Sequence, residues 1–123
     1  MSAIREVSPT DALAMIQKGA LLVDVREAHE IAGKSFDVPN VMQIPLREIE
    51  KRYKEIPVKR QVVVACRSGN RSLMALRFLT NHGYNKAVNM QSGISRWERD
   101  GLPIKRSQKQ KPGSWLFGLF GKN

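Results

Sequence analysis

The only cysteine of the chain, Cys66, stands at the start of a short polar loop that joins a predicted strand to a predicted helix. The loop reads Cys-Arg-Ser-Gly-Asn-Arg over residues 66–71. N–H groups of such a loop and of the first helical turn converge on one point, where the helix dipole adds positive potential. A thiol held there ionises below its free pKa of about 8.5, and its thiolate is a strong nucleophile.

The five residues after the cysteine are candidates for binding an anionic substrate. We predict this role for Arg67, Ser68, Gly69, Asn70 and Arg71. The two arginines would lower the thiol pKa further and hold an anion, and Gly69 permits the positive φ that turns amides inward. The alternative is a small buried core cysteine followed by a solvated turn. Two arginines in one loop favour the anion site.

Alternating strands and helices are predicted to position this loop. Ser8 and Pro9 are typical of a helix start. Four short apolar runs predict buried strands: residues 21–25, 41–44, 62–65 and 87–90. Helical spacing is found over residues 46–53, 72–81 and 94–99, and residues 27–40 are predicted to form a loop or short helix. This order predicts an α/β fold with a largely parallel central sheet.

Composition divides the chain near residue 105. A hydrophobic content of 41% is sufficient for one core, which we assign to a domain over residues 1–104. Residues 105–123 are predicted to be a basic flexible linker with an apolar end. That segment holds five of the 21 Lys and Arg residues and none of the 11 acidic ones, so it contributes half of the net charge of +10.

The end of this tail carries five large apolar side chains, Trp115, Leu116, Phe117, Leu119 and Phe120. They are too few to span a bilayer, which takes about 20 apolar residues. Three alternatives stay open: insertion at an anionic membrane surface, docking on a partner protein, and packing on the chain's own domain or a second copy. Nucleic acid is a weaker candidate because the basic residues lack interleaved aromatic side chains.

Four motifs in this order resemble the rhodanese homology domain. They are Asp-Val-Arg at residues 24–26, Ile-Pro-Leu at 44–46, the cysteine loop through Ser72, and Gly-Ile-Ser-Arg-Trp-Glu-Arg-Asp-Gly-Leu-Pro at 93–103. The similarity covers about residues 3–104. It implies a rhodanese-like three-layer fold, in which helices flank a mostly parallel central sheet. Two segments depart from the family pattern, residues 33–40 and Ser92-Gly93, and we expect both to reshape the rim of the pocket.

The resemblance also implies the activity of a single-domain sulfurtransferase. Cys66 would take a sulfane sulfur from thiosulfate or a persulfide donor, hold it as a persulfide, and pass it to cyanide or a thiol acceptor, with no cofactor. Four residues separate Cys66 from Arg71, which is similar to the sulfurtransferase loop and shorter than the five-residue spacing of cysteine phosphatases. Phosphatase activity therefore ranks as a minor alternative.

Other residues are assigned supporting or structural roles. Asp24, Arg26 and Ser72 are supporting residues, and an ion pair is a better expectation for Asp24 and Arg26 than direct catalysis. His29 and His82 fit no metal-ligand spacing, so we predict surface histidines and no metal site. Trp97 is predicted to pack in the core, as the resemblance implies.

A different class of function stays open beside the enzyme. The domain would then be a persulfide carrier with little thiosulfate turnover, docked to a membrane or partner protein by its tail. Because a lone cysteine makes no internal disulfide and the first seven residues lack the pattern of a signal peptide, we expect a cytoplasmic location. Peripheral attachment to a membrane through the tail is compatible with that location.

Overall fold

The structure, a computed structural model, describes residues 4–107. Its central sheet contains β1 (Glu6–Val7), β2 (Leu21–Asp24), β4 (Val41–Gln43), β5 (Val62–Ala65) and β6 (Ala87–Met90). These strands lie in the order β1-β6-β5-β2-β4, and every neighbouring pair is parallel. Two further strands, β3 (Lys34–Phe36) and β7 (Ile104–Arg106), form a separate antiparallel pair.

Helices connect the strands and cover both faces of the sheet. They are α1 (Pro9–Gln17), α2 (Ala28–Gly33), α3 (Ile49–Arg52), α4 (Asn70–Thr80) and α5 (Gly93–Arg99). Short 3-10 turns, Leu46–Glu48 and Tyr53–Glu55, flank α3. The predicted start of α1 is confirmed: the Ser8 hydroxyl accepts the Asp11 N–H at 3.1 Å, and Pro9 occupies the first turn. Among residues 4–107, no helix has the length and apolar content that crossing a bilayer requires.

Side chains of β5 alternate between two hydrophobic cores. Val62 and Val64 pack on the face covered by α3 and α4, whereas Val63 and Ala65 pack on the face covered by α1 and α5. All four are fully buried. A strand covered on both faces is apolar throughout, which explains the continuous apolar runs of the sequence. The predicted three-layer α/β fold with a mostly parallel sheet is confirmed.

Trp97 fixes α5 against the sheet. Its side chain is fully buried, its indole N–H donates to the Pro103 carbonyl at 2.7 Å, and its ring meets Phe36 edge to face with centroids 5.1 Å apart. The predicted core position of Trp97 is confirmed. Because α5 begins beside the cysteine loop, this packing also determines where the start of α5 lies.

Three strands were not expected from the sequence, β1, β3 and β7. Each has only two or three residues of mixed polarity and forms by pairing with a segment distant in sequence. The boundary predicted after residue 104 falls inside β7, so Lys105 and Arg106, assigned to the linker, belong to a strand. Backbone hydrogen bonds to β3 hold them there, and composition gives no sign of such pairing. The predicted apolar segment over residues 115–120 lies outside the described residues.

Candidate active site

The register of the sheet brings the predicted site residues to one edge. Asp24, the last residue of β2, lies opposite Ala65, the last residue of β5, and the Val25 N–H donates to the Ala65 carbonyl at 2.9 Å. Cys66 comes directly after Ala65, and Arg26 comes two residues after Asp24, at the same carboxyl edge. Polar groups beyond the carboxyl ends of parallel strands are well placed to form a site in an α/β protein.

The sulfur of Cys66 receives two hydrogen bonds from its own loop and the first turn of α4. The Gly69 N–H donates to Sγ at 3.0 Å, and the Ser72 hydroxyl lies 3.4 Å from Sγ. Burial raises the pKa of the Cys66 thiol, since the residue is 1% exposed. The Ser72 hydroxyl and the N–H groups of Ser72, Gly69 and Ser68 stabilise the thiolate. Together these hydrogen bonds outweigh burial and lower the pKa of the thiol below its usual value.

The start of α5 holds the loop in this shape from outside. The Ile94 N–H donates to the Cys66 carbonyl at 2.9 Å, and the Ser95 N–H donates to the Arg67 carbonyl at 3.1 Å. With these carbonyls bonded outward, the loop amides are left facing the sulfur. Gly69 supports the turn with φ of +104°, as predicted.

Gly93 is required for the close approach of α5 to the loop. A Cβ on Gly93 would overlap the Cys66 carbonyl oxygen and lie 2.6 Å from the Arg67 carbonyl oxygen, which no side chain tolerates. Ser92 precedes it with φ of +61°, in the left-handed region. We expect Ser92 and Gly93 to reshape the rim of the pocket, and that stays a prediction. Gly93 also packs directly on the loop backbone.

The predicted loop residues divide between the loop and the helix. Asn70, Arg71 and Ser72 form the first turn of α4, which begins two residues earlier than the sequence indicated. Gly69 allows this early start, since its carbonyl accepts the Leu73 N–H at 3.2 Å and lies 3.2 Å from the Ser72 hydroxyl. The side chains of Ser68 and Asn70 are exposed.

Arg71 is held by a carboxylate that sequence reasoning missed. Its Nη1 and Nη2 donate to Oε2 and Oε1 of Glu30 at 2.7 and 2.8 Å. The Arg71 hydrogen bonds hold the pKa of Glu30 far below its usual range, at about 2. Glu30 also accepts the Glu27 N–H at 2.9 Å, which closes the first turn of α2. The guanidinium predicted to bind substrate therefore already has a bidentate partner.

Asp24 and Arg26 form a buried ion pair at the same edge. Arg26 Nη2 lies 2.8 Å from Asp24 Oδ2, and the Arg26 N–H donates to Asp24 Oδ1 at 3.1 Å. Both side chains are at most 3% exposed. The guanidinium also lies 5.6 Å from the centre of the Phe36 ring. The pairing expected for these charges is present.

A pocket of about 200 Å³ opens beside the loop and is lined by Arg26, Glu30, Lys34, Arg67 and Ile94. Arg67 is exposed, and no ion pair joins it to any residue between 4 and 107. Sequence reasoning did not identify Glu30, Lys34 or Ile94. The departure of residues 33–40 from the family pattern was the one signal pointing to Lys34.

The two histidines lie on the surface and do not line this pocket. His29 is an exposed residue of α2, and exposed His82 stacks on Phe78 with ring centroids 4.1 Å apart. Over the described part of the chain, no three His, Cys, Asp or Glu side chains gather as metal ligands would. The nucleophile candidate at the sheet edge is Cys66, whose sulfur accepts hydrogen bonds from the Gly69 N–H and the Ser72 hydroxyl.

Comparison with known proteins agrees with this fold. The model of the rhodanese-like domain family matches residues 8–100. A sulfurtransferase of Allochromatium vinosum is 45% identical over 84 residues, which are 68% of this chain and 77% of that protein. Thiosulfate sulfurtransferase GlpE of Actinobacillus pleuropneumoniae serotype 7 is 30% identical over 101 residues, 80% of this chain and 91% of that protein.

A solved structure supports the same assignment. The crystal structure of a rhodanese-related protein from Thermoplasma volcanium superimposes with a TM-score of 0.74 at 30% identity, and the match covers 82% of this chain and 97% of that one. The chain belongs to the rhodanese-like domain family. The relatives from Allochromatium vinosum and Actinobacillus pleuropneumoniae are both named as sulfurtransferases.

Replacing Ser72 by Ala should slow the reaction of Cys66 with iodoacetamide. The change removes the hydroxyl near Sγ and leaves the backbone amides, so less thiolate forms at neutral pH. We expect the alkylation rate at pH 7 to fall about three- to tenfold. Ser95→Ala is the control, because that side chain is exposed. An alkylation rate at pH 7 that is the same in Ser72→Ala and wild type would contradict the role of the hydroxyl.

Replacing Glu30 by Gln should destabilise the fold at neutral pH. The Glu30 pKa is about 2 in the folded chain against an ordinary 4.5. Its contribution to the free energy of unfolding is therefore complete above pH 4.5 and is lost as the pH falls towards 2. We expect a loss of about 1–3 kcal/mol in urea unfolding at pH 7. That loss should shrink between pH 4.5 and 3. Exposed Glu50→Gln is the control, and a pH-independent difference would count against the ion pair.

Proposed function

We propose that the protein is a thiosulfate or persulfide sulfurtransferase that carries the transferred sulfur on Cys66. The observation that supports this most strongly is the pair of donors, the Gly69 N–H and the Ser72 hydroxyl, directed at a buried sulfur. A thiolate kept by hydrogen bonds needs no general base. The surface positions of His29 and His82 are compatible with such chemistry.

The reaction proceeds in two displacement steps. The Cys66 thiolate attacks the outer sulfur of thiosulfate, a new S–S bond forms, and the old S–S bond breaks as sulfite leaves with its electron pair. A thiol or cyanide then attacks the terminal sulfur of the Cys66 persulfide. Its S–S bond breaks, the acceptor leaves with the sulfur as a persulfide or thiocyanate, and the Cys66 thiolate returns.

Loop length and similarity both favour sulfur over phosphoryl transfer. Four residues separate Cys66 from Arg71, and Arg71 is already bound at both Nη atoms by Glu30. A transferred phosphoryl group needs donors for three equatorial oxygens. Thiosulfate is named as the substrate of a relative 30% identical to this chain, which supports thiosulfate as the donor here. A reducing compartment such as the cytoplasm would keep Cys66 free to react.

Substituting Cys66 by Ser should abolish thiocyanate formation from thiosulfate and cyanide. The wild-type chain, treated with thiosulfate alone, should gain the mass of one sulfur atom, and peptide mapping should place that sulfur on Cys66. Ser95→Ala should behave as wild type, because it leaves the sulfur and its donors in place. Equal turnover by Cys66→Ser and wild type would refute the proposal. So would the absence of added sulfur on Cys66 after treatment with thiosulfate and with a persulfide donor.

A carrier role with a docking tail is the second function we propose. One observation favours it: the Ser107 N–H donates to the Gly33 carbonyl at 3.0 Å, so the chain leaves the described domain next to Lys34 at the pocket. A tail that starts there can bring Cys66 close to whatever it binds. The five apolar side chains named above and the basic residues around them suit an anionic membrane surface or a partner protein.

Deleting residues 112–123 tests the carrier role. If the tail docks the domain, truncation should release the protein from the membrane or partner fraction of the cell and abolish binding to anionic vesicles or to a copurifying partner. Thiosulfate turnover should stay unchanged, because Cys66 and its loop lie within residues 4–107. Unchanged localisation and unchanged binding after truncation would exclude docking by the tail.

A further inference from the structure

The pocket beside the cysteine loop holds more positive charge than its ion pairs neutralise. Arg26 is matched by Asp24, and Glu30, on the pocket wall, is matched by Arg71. Arg67 has no ion-pair partner among residues 4–107. It therefore contributes one uncompensated positive charge.

The second uncompensated charge comes from three side chains at the ribbon of β3 and β7. Lys34 Nζ lies 2.6 Å from Glu98 Oε1, and Arg106 pairs with the other oxygen of the same carboxylate. Lys34 and Arg106 are register partners in the ribbon, while Glu98 reaches them from α5. Two cations share one carboxylate, so this triad keeps a net charge of one.

These cations lie within electrostatic reach of one another. Burial lowers the pKa of Lys34, and the charges of Arg106, Arg26 and Arg67 lower it further. The ammonium is partly sheltered, with 28% of the side chain exposed, so solvent screens it only in part. An anion in the pocket would relieve this repulsion between cations.

We propose that Lys34, balanced by Glu98, makes this pocket selective for doubly charged anions over singly charged ones. The inference rests on the proposed function, and it adds the charge class of the sulfur donor and the residue that sets it. Two excess positive charges attract a dianion such as thiosulfate more strongly than a monoanion. They also offset the repulsion between that dianion and the Cys66 thiolate, and they stabilise the sulfite that leaves.

Binding of unreactive anions tests this selectivity without requiring sulfur transfer. Sulfate, a dianion, and methanesulfonate, a monoanion of similar shape, are each titrated as protectants of Cys66 against iodoacetamide at constant ionic strength. Wild type should bind sulfate more tightly. Lys34→Gln should weaken sulfate binding about fivefold and methanesulfonate binding about twofold, because the Coulomb energy scales with ligand charge. Lys34→Arg should restore most of the difference.

Glu98→Gln provides a change of opposite sign. Removing the shared carboxylate frees the charges of Lys34 and Arg106, so sulfate should bind more tightly than it does to wild type. Lys59→Gln, at an exposed turn, is the control for net charge alone. Thermal unfolding of each variant verifies that the ribbon is still folded.

The outcomes separate this inference from the sulfur chemistry. Equal weakening of both anions by Lys34→Gln, or weaker sulfate binding in Glu98→Gln, would overturn the selectivity. Protection that depends on Lys34, in a chain whose Cys66 takes sulfur from neither thiosulfate nor a persulfide donor, would uphold the dianion pocket and refute the proposed transferase. If Cys66 accepts sulfur but sulfate protects it equally well in wild type and in Lys34→Gln, the transferase proposal stands and the role of Lys34 is refuted.

Discussion

Burial and hydrogen bonding act in opposite directions on the sulfur of Cys66, and the site depends on hydrogen bonding being the stronger. Burial alone would keep the thiol protonated and inert. The Gly69 amide and the Ser72 hydroxyl reverse that preference, but only while the loop keeps its amides directed inward. The outward carbonyls of Cys66 and Arg67 must therefore find donors elsewhere.

The start of α5 provides those donors, and much of the fold serves to hold it there. Gly93 allows α5 to approach the cysteine loop closely. Trp97 holds the helix in place by a hydrogen bond to the segment that leads into β7. The ribbon of β3 and β7 then places Lys34 and Arg106 around Glu98 of the same helix. One short helix thus determines both the shape of the cysteine loop and the charge of the pocket wall.

The central sheet could be predicted from the sequence because its strands are buried on both faces, so each is a continuous apolar run between polar segments. The cysteine loop could be predicted because its residues are contiguous. The Glu30–Arg71 pair could not, since 41 positions separate two charges that have no local partner pattern. β1, β3 and β7 were missed for a related reason: short strands of mixed polarity exist only through pairing with distant backbone.

Gly93 is a second residue whose role depends on contacts with residues distant in sequence. Its neighbour Ser92 departs from a family pattern, yet glycine is needed at 93 because of the backbone carbonyls of Cys66 and Arg67, which lie 27 and 26 positions away in the sequence. Lys34 was noticed only as part of an unusual segment. Its importance comes from Glu98 and Arg106, which converge on it only in the folded chain.

The ionisation of Cys66 tests this account most directly. Thiolate absorbance in the ultraviolet, followed against pH in the wild type and corrected with Cys66→Ser, reports the pKa of this thiol without any substrate. We predict a midpoint below the value of about 8.5 for a free cysteine. A midpoint at or above that value would show that burial outweighs the hydrogen bonds, and the loop would then hold no ready nucleophile.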